Sequence, residues 1–542
     1  MKKNTFIEGT IVAYIAILLT KIIGAIYVIP FYKIVGESGG VLYSYAYNVY
    51  NLFLNISTSG IPTAVSIVVA EYNALKLFNE REYTYKIATK LIAVISFIAF
   101  IMMFVFAKYI GLFLIGNIEG GHSIESIELV IRVISFCLLV IPFLSITRGY
   151  LQGNKYVSVS SLSQPIEQFV RIFIVLVGSY VAINLLNFNV TVGVSVALSG
   201  TVLGGLAALL YLKNKIKKNK NELLKDVNND KLTVKGIDII KKLAICAIPV
   251  IIISVTQNIY ELIDFKFILM GLYKIGYDAK TCEFLASIIV TWAPKICMII
   301  NALAIGLCTS IIPFIVSNYV ENNKSELNNK FNQAINIINY VGIPLALFIT
   351  VFSREIYYIF YGYNDYGSVV LKALAFVSIL FSIHLVINMI LQGMKKYKIV
   401  YINTIAGIIV NAVLDIPLIL LLNKIGFYPY IGTLVSTMIG QSVSILIVLV
   451  ALKKELSFKY MDILTTLGKI IISTLGAFVL MVILKNILFN TGGYIRTLLL
   501  LSVSGILTMG LYAIITYKTK IMFNIIDENV AGKILRKLKI QK

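Results

Sequence analysis

Charged side chains are scarce in this chain of 542 residues, because Asp, Glu, Lys and Arg together make up 14% of it while hydrophobic residues make up 58%. Soluble globular proteins are about a quarter charged and about half apolar. So few charges cannot cover a water-facing surface of this size, which excludes a cytosolic enzyme and a disordered chain. The composition predicts a protein whose solvent is the lipid bilayer.

Histidines and nucleotide-binding motifs are also lacking. His122 and His384 are the only two histidines, which excludes His-rich metal sites and most histidine-based acid–base catalysis. A phosphate-binding loop is missing, because Gly468-Lys469 is followed by Ile470 where Ser or Thr would hold magnesium. The five cysteines have no CxxC spacing, as is typical of small core residues. We therefore expect a protein that is not an enzyme and that binds no metal or cofactor.

Long apolar stretches are what the chain has in abundance. Fourteen of them are long enough to cross a hydrocarbon core about 30 Å thick, which needs roughly 20 helical residues. They cover residues 10–32, 42–70, 88–116, 127–150, 158–183, 190–213, 242–271, 284–318, 334–361, 369–393, 399–423, 429–452, 464–489 and 494–517. The second and eighth contain Pro62 and Pro313, which favours a kink in each. The predicted fold class is an all-α polytopic membrane protein.

The net charge of +22 is distributed unevenly along the chain. With the N-terminus placed in the cytoplasm, it and the even-numbered connections hold roughly 33 Lys and Arg residues, the odd-numbered connections roughly 7 and the spans 8. Cytoplasmic loops of membrane proteins carry such an excess of basic residues. The bias predicts that both termini are cytoplasmic, and it removes nucleic acid as the partner that a basic chain would otherwise suggest.

The connection after the sixth span is the only long polar linker, and it holds ten lysines between residues 213 and 242. The predicted organisation is an N-terminal six-helix bundle over 1–213, this linker over 214–241, a second six-helix bundle over 242–453, two additional helices over 454–519 and a basic tail over 520–542. The tail mixes apolar and basic residues, as does an amphipathic helix that binds anionic inner-leaflet lipids. A solvated tail is the alternative interpretation.

Ionisable side chains inside the spans are the first functional candidates. Each costs roughly 2.5–3.5 kcal/mol at bilayer depth, so each predicts a partner or a wet cavity. Lys21 lies on the first span beside a face of small residues, and Lys295 lies on the eighth, one turn after Thr291. The alternative for Lys21 is a side chain that snorkels to the interface. Trp292 suits an interfacial anchor.

Amide and hydroxyl side chains share one face of the second span at spacings of four, three, four and three: Ser44, Asn48, Asn51, Asn55 and Thr58. In lipid such a stripe turns inward, either to hydrogen-bond another helix or to line a cavity. Both interpretations stay open. Shorter polar stripes occur on the tenth and eleventh spans: His384, Asn388 and Gln392, and then Asn403, Gly407, Asn411 and Asp415.

Carboxylates on the fifth, seventh and eleventh spans predict ion coupling. Glu167 precedes Arg171 by four residues, the favourable order for an ion pair, and a structural pair between them is the alternative to a functional role. Glu261 and Asp264 lie one turn apart on a face that also holds Ser254 and Gln257. They predict a proton or sodium site, unless both pair with the nearby Lys266. The ion-coupling candidates are Glu167, Glu261, Asp264 and Asp415.

Two sequence landmarks recur in the halves of the chain. Residues 148–155, Arg-Gly-Tyr-Leu-Gln-Gly-Asn-Lys, are echoed by residues 389–396, and the Gly60-Ile61-Pro62 segment is echoed more faintly at Pro313. Six predicted spans separate each pair, so the halves have the same orientation. Parallel repeats around a central cavity are a transporter plan, and polar stripes on at least five spans favour such a cavity.

At these landmarks the chain resembles a known family. Residues 21–30, 57–66, 148–153 and 391–393 resemble the polysaccharide-biosynthesis exporters of the MOP superfamily, and within it the Gram-positive MurJ-type lipid II flippases and the stage V sporulation protein B group. The resemblance implies two six-helix bundles, a lipid-tail groove at the last two spans, and cations on spans one, two and eight around a diphosphate. Lys21 and Lys295 match two of these positions, but residues 42–70 contain no Lys or Arg.

The expected function is therefore a bacterial plasma-membrane flippase, monomeric, that moves an undecaprenyl-diphosphate-linked precursor, above all lipid II, to the outer leaflet. Coupling to protons, sodium or the membrane potential is expected. A multidrug or cation antiporter, an exporter of another lipid-linked oligosaccharide and a structural scaffold are the alternatives. The expected substrate-binding residues are Lys21, Lys295, Asn48, Asn51, Asn55, Arg171 and Asn411.

Overall fold

The computed structural model describes residues 20, 23–24, 26–116, 118, 120–224, 227, 232, 234–488 and 493–525. The side chains at 253, 257, 303–313, 523 and 524 are outside this description. Lys21, most of the first predicted span, part of the basic linker and the tail from residue 526 lie outside the described residues. Within the described ranges all regular secondary structure is helical.

The chain divides into two compact units, residues 1–287 and 288–542. The first unit contains α1 Val28–Thr58, α2 Ile61–Ala74, α3 Phe78–Val105, α4 Ala107–Ile115, α5 Ile124–Ser135, α6 Ile141–Gly153, α7 Val157–Phe173, α8 Val190–Lys218, α9 Lys220–Leu223, α10 Gly236–Lys274 and α11 Ala279–Ser287. The second contains α12 Ala293–Val320, α13 Lys324–Val351, α14 Ser353–Tyr361, α15 Asp365–Gly393, α16 Tyr397–Lys424, α17 Gly432–Leu456, α18 Met461–Leu488, α19 Tyr494–Lys518 and α20 Ile521–Ile525. Three π-helical segments extend these helices: Ile174–Gly178, Val181–Leu185 and Ile288–Trp292.

Thirteen helical segments of the described chain are long and apolar enough to cross a membrane. They correspond one to one with the second to fourteenth predicted spans, whereas more than half of the first predicted span lies outside the described residues. The seventh is longer than predicted, because α10 covers residues 236–274. The chain is an all-α polytopic membrane protein, as predicted.

The predicted kink in the second span is present, because α1 ends and α2 begins between Thr58 and Ile61. Ser59 is extended, with ψ of 132°, and Gly60 follows in the left-handed region with φ of 74°. Only glycine adopts that conformation without strain, and Pro62 suits the first turn of the next helix because it needs no backbone donor there. The Gly-Ile-Pro landmark is thus a helix break.

The glycines of the second landmark permit close packing between α6 and α2. A Cβ atom on Gly149 would lie 2.3 Å from the carbonyl oxygen of Pro62, and one on Gly153 would lie 2.7 Å from that of Ser66. Any larger side chain at either position would push the two helices apart. The two landmarks therefore pack against each other.

The repeated Leu-Gln-Gly motif forms the same turn in each unit. Lys155 and Lys395 both have positive φ, at 66° and 57°. Each donates its backbone N–H to the carbonyl of the motif glutamine at 2.9 Å, and the next residue bonds to the motif leucine at 2.8 Å. Two turns that lie 240 residues apart in the sequence therefore have the same geometry.

The boundary between the two compact units follows residue 287, whereas the predicted linker covers residues 214–241. Helix α10, predicted to open the second bundle, packs in the first unit, where Gly60 approaches the Ala247 carbonyl and Lys242 pairs with Glu71 at 2.8 Å. A Cβ on Gly60 would lie 2.8 Å from that carbonyl oxygen. Sequence repeat and packing unit therefore have different boundaries.

Candidate functional site

Arg171 lies on α7 in the first unit, half-buried against aromatic residues. Its guanidinium carbon is 5.6 Å from the centre of the Tyr27 ring, a cation–π distance. Its Cβ packs closely on α8, because Gly204 leaves no side chain there: an added Cβ would lie 3.1 Å away. The stem is held between two helices and the charged end contacts a tyrosine.

Four tyrosines, which we call the tyrosine cluster, interact with this guanidinium: Tyr27, Tyr43, Tyr47 and Tyr50. Tyr43 is hydrogen-bonded to Tyr27 and stacks on Tyr47 with ring centres 5.3 Å apart. Arg171 interacts electrostatically with Tyr27, Tyr43 and Tyr47. A guanidinium beside hydroxyl donors and aromatic faces has the chemistry to bind an oxyanion and to stack on a sugar.

Glu167 does not form the ion pair with Arg171 that was the alternative to its predicted functional role. Its Oε2 accepts from Nη2 of Arg148 at 2.8 Å, and Arg148 Nε also donates to Ser163 Oγ at 2.7 Å. The α6–α7 contact that holds Arg148 opposite Glu167 was not visible from helix spacing. Within the described residues no ion pair joins Arg171 to a carboxylate, and Glu167 acts on Arg171 electrostatically without pairing with it.

The two carboxylates of α10 also lie in the first unit. Glu261 is exposed on the helix surface and interacts electrostatically with Tyr47, which also interacts with Arg171. Asp264 is half-buried. Lys266 lies with its Nζ 3.4 Å from the centre of the Phe113 ring. The tyrosine cluster is therefore bordered by a cation from α7 and a carboxylate from α10.

The amide stripe of the second predicted span lies on α1 beside these tyrosines. Asn48 is buried and donates to Ser44 Oγ at 3.2 Å, whereas Asn51 is half-buried. Asn55 lies at the helix break, where its Oδ1 accepts from Ser59 Oγ at 2.6 Å. The stripe faces inward, as its spacing predicted, and Asn48 shares α1 with Tyr43, Tyr47 and Tyr50.

Lys295 occupies the first turn of α12 in the second unit. Its Nζ lies 4.0 Å from the centre of the Trp292 ring. Trp292 is 0% exposed, and its carbonyl accepts from the Tyr361 hydroxyl at 2.8 Å. The prediction that Trp292 is an interfacial anchor is therefore wrong, because the π-helical turn before α12 places the ring inside the unit. Lys295 is held by a buried aromatic face.

Asn411 and Asp415 are brought together by a residue that sequence reasoning missed. Both are fully buried on α16, and Ser436 Oγ on α17 hydrogen-bonds to Asp415 Oδ1 and lies 3.1 Å from Asn411 Oδ1. A buried carboxylate is costly unless it is hydrogen-bonded or binds a cation. Three oxygen-bearing side chains at one point have the donor chemistry of a small-cation site.

The polar residues of the tenth and eleventh spans bond to one another. His384 Nε2 lies 2.8 Å from Asn403 Oδ1 and 2.9 Å from Asn388 Nδ2, and Asn403 donates to Asn388 at 3.0 Å. Ser444 on α17 donates to the Asn403 carbonyl at 2.8 Å. This network is buried and joins α15, α16 and α17, so it acts as a structural connection in the second unit.

Residues 6–315, more than half of the chain, match the family model for polysaccharide biosynthesis proteins. The chain belongs to the polysaccharide biosynthesis protein family. Residues 249–416 of this polysaccharide biosynthesis protein also match the MatE family. These matches, together with its relatives and structural neighbours, place it among the exporters of the MOP superfamily, close to the MurJ and stage V sporulation protein B groups. It is a multi-pass membrane protein.

Two curated relatives come from Bacillus subtilis strain 168. The chain is 29% identical to the lipid II flippase MurJ over 464 residues, which cover 84% of each chain. It is 22% identical to stage V sporulation protein B over 417 residues, covering 76% of this chain and 77% of that protein.

Solved structures show the same fold. A lipid II flippase MurJ in an inward closed conformation aligns with a TM-score of 0.64 and 17% identity, over 94% of this chain and all of that one. An inward-facing multidrug resistance MATE transporter aligns with a TM-score of 0.61 and 16% identity, over 80% of this chain and 98% of that one.

Proposed function

We propose that this protein is a flippase that carries an undecaprenyl-diphosphate-linked cell-wall precursor, lipid II, from the inner to the outer leaflet. The observation that carries the proposal is a half-buried cation on a membrane-spanning helix of each unit, Arg171 beside the tyrosine cluster and Lys295 against Trp292. It is supported by similarity to a lipid II flippase over 84% of both chains.

The proposed roles follow from the chemistry of each side chain. Lys21, Lys295 and Arg171 neutralise the diphosphate, because cations held away from water bind phosphate oxygens strongly. Arg171 contributes a planar fork, whereas the lysines contribute point charges. The amides contact the sugar or the peptide, where donors and acceptors are needed together: Asn48, Asn51, Asn55 and Asn411.

The proposed energy source is an ion gradient or the membrane potential. Glu261, Asp264 and Asp415 are the proposed coupling carboxylates, whereas the ion pair of Glu167 with Arg148 gives that residue a structural role. Moving one charge across the membrane is worth about 2.3 kcal/mol per 100 mV. A free energy of this size is enough to favour transport toward the outer leaflet.

The deciding experiment is complementation of a strain depleted of its own lipid II flippase. We expect the full chain to restore growth and to restore exposure of lipid II on the outer leaflet, measured with a membrane-impermeant probe. A vector carrying the Lys295→Ala variant at equal protein abundance is the control. Expression of the intact chain without recovery of lipid II exposure would contradict the proposal.

The second candidate is a multidrug or cation antiporter, and the MatE match over residues 249–416 favours it. Such a protein binds cationic, aromatic compounds, so its overproduction is expected to raise drug tolerance in a strain whose own flippase is intact. Increased drug tolerance, together with failure to complement the depleted strain, would support the antiporter and exclude the flippase.

Asp415 provides a test of ion coupling. Asp415→Asn keeps the shape and the bond from Ser436 but removes the charge, so we expect transport to fall about tenfold or more and to lose its dependence on sodium or pH. The measurement is lipid II exposure in vesicles with an imposed gradient of each ion. Asp462→Asn, an exposed carboxylate on α18 that accepts from Asn336 at 2.9 Å, is the matched control. An unchanged ion dependence in Asp415→Asn would rule out coupling at this residue.

A further inference from the structure

A polar cluster in the first unit lies outside the candidate binding site. The Glu283 carboxylate is 1% exposed and accepts the backbone N–H of His122, with both oxygens at 3.1 Å. His122 Nδ1 lies 2.5 Å from Oε2, and the Tyr45 hydroxyl donates to Oε1 at 3.2 Å. His122 Nε2 in turn lies 2.8 Å from Ser38 Oγ. A single buried carboxylate thus joins α1, the α4–α5 loop and α11.

The local sequence is suited to this contact. A Cβ atom on Gly121 would lie 2.4 Å from Glu283 Oε1, so only glycine lets the loop backbone approach the carboxylate. Gly116 and Gly120 flank the approach with φ of 66° and 95°, conformations that glycine adopts without strain. The loop is therefore shaped to bring His122 onto Glu283.

All the chain segments that meet here are on the predicted outer face. Ser38 lies in the first predicted connection between spans, His122 in the third and Glu283 at the end of the seventh. A cavity of about 310 Å³ adjoins the cluster, with Glu37, Lys280 and Phe284 among its lining residues. The cluster is therefore placed where water on the outer side can reach it.

Helix α11 connects this cluster to the candidate binding site along the chain. It runs through the π-helical turn Ile288–Trp292 into the helix that begins with Lys295. π-Helical turns inside longer helices occur frequently at functional sites. Glu283 therefore lies twelve residues before Lys295 on one helical segment, Ala279–Ala302.

We propose that Ser38, Tyr45, His122 and Glu283 form an outer latch, which holds α11 against α1 and the α4–α5 loop and must open in each transport cycle. Hydrogen bonds suit such a role, because they exchange for bonds to water at small net cost, whereas an apolar seal does not. The requirement for cycling rests on the proposed function; the existence of an opening latch does not.

Cys282, next to Glu283, reports on opening without any assay of transport. It is 0% exposed and its thiol lies 3.7 Å from the Tyr277 carbonyl. In the purified full chain, we expect labelling of Cys282 by a water-soluble maleimide, followed by peptide mass spectrometry, to rise about tenfold in His122→Ala and Gly121→Ala. Glu125→Gln, an exposed carboxylate near the same loop, is expected to label like the wild type. Unchanged labelling in both latch variants, or an equal rise in the control, overturns the latch.

A covalent latch tests whether opening is needed for transport. A Cβ atom on Gly121 would lie 2.7 Å from Glu283 Cδ, which is two bonds from Glu283 Cβ, so cysteines at the two positions would be close neighbours. Formation of the disulfide between positions 121 and 283 is verified by peptide mass spectrometry before transport is measured. We expect the oxidised Gly121→Cys, Glu283→Cys double variant to lose lipid II exposure activity and to regain it on reduction, while the oxidised wild type stays active. Full activity of the cross-linked form overturns the requirement. Inactivity of the wild type itself counts against the flippase function and leaves the labelling test of the latch intact.

Discussion

Replacing Lys295 by Ala is expected to abolish complementation and to weaken binding of polyprenyl-diphosphate lipids by about tenfold to a hundredfold, because a hydrogen bond to a charged group is worth roughly 1.5–3 kcal/mol. Lys295 Nζ lies 4.0 Å from the centre of the ring of Trp292, the only tryptophan in the chain. A diphosphate that draws the ammonium away from the indole changes that contact. Titration of tryptophan fluorescence with a short-chain polyprenyl diphosphate therefore measures binding at this point.

Two control variants separate charge from packing at this position. Lys295→Arg keeps the cation and its contact with the indole, so it is expected to retain most of the binding and growth. Lys372→Ala removes an exposed lysine of α15 in the same unit and is expected to leave both unchanged. If Lys295→Ala bound the diphosphate as tightly as the wild type, the proposed role of Lys295 would be lost, whatever the growth phenotype.

Helix positions were predictable from the sequence because the relevant forces are local. A bilayer demands apolar helices of a minimum length, so the thirteen described spans follow from hydropathy alone. The break at Ser59 and Gly60 followed from the Gly-Ile-Pro segment, since glycine and proline restrict the backbone wherever they occur. The inward orientation of Asn48 followed from periodicity.

Side-chain partners were not predictable, because they depend on which helices meet. Glu167 has Arg171 four residues ahead on its own helix, yet its charge pairs with Arg148 from α6. Tryptophan is a residue type typical of interfacial anchors, but Trp292 lies in a π-helical turn and is buried. His384 and Asn403 have the spacing of cavity-lining residues and instead bond to each other. Arg148 had one visible signal, as the first residue of a repeated landmark, whereas Ser436 had none.

Since Glu167 pairs with Arg148, Arg171 is the residue of the first unit whose substitution tests diphosphate binding best. The Arg171 guanidinium lies against Tyr27 of the tyrosine cluster. The second predicted span has no Lys or Arg between residues 42 and 70, but its Tyr43 and Tyr47 interact electrostatically with a cation supplied by α7. We therefore expect Arg171 to bind the diphosphate beside the tyrosines of α1.

Arg171→Met is expected to weaken binding of a polyprenyl diphosphate by about a hundredfold, measured by native mass spectrometry of the full chain in detergent, because two charge-assisted bonds are lost. Arg171→Lys is expected to recover only part of the affinity, since a point charge cannot form the planar two-bond contact. Tyr47→Phe removes one hydroxyl and is expected to cost about tenfold.

A purely structural Arg171 predicts a different pattern, in which Arg171→Met lowers the melting temperature but the folded fraction binds diphosphate normally. Arg132→Met is the matched control, because Arg132 is a half-buried arginine of the same unit that is paired with Glu128 at 2.7 Å.

A comparison of diphosphate with monophosphate lipids tests whether Arg171 selects the headgroup. If the fork of Arg171 bridges two phosphate groups, the loss in Arg171→Met is larger for the diphosphate; an equal loss for both lipids would assign the guanidinium to general charge neutralisation and remove its role in selecting the headgroup.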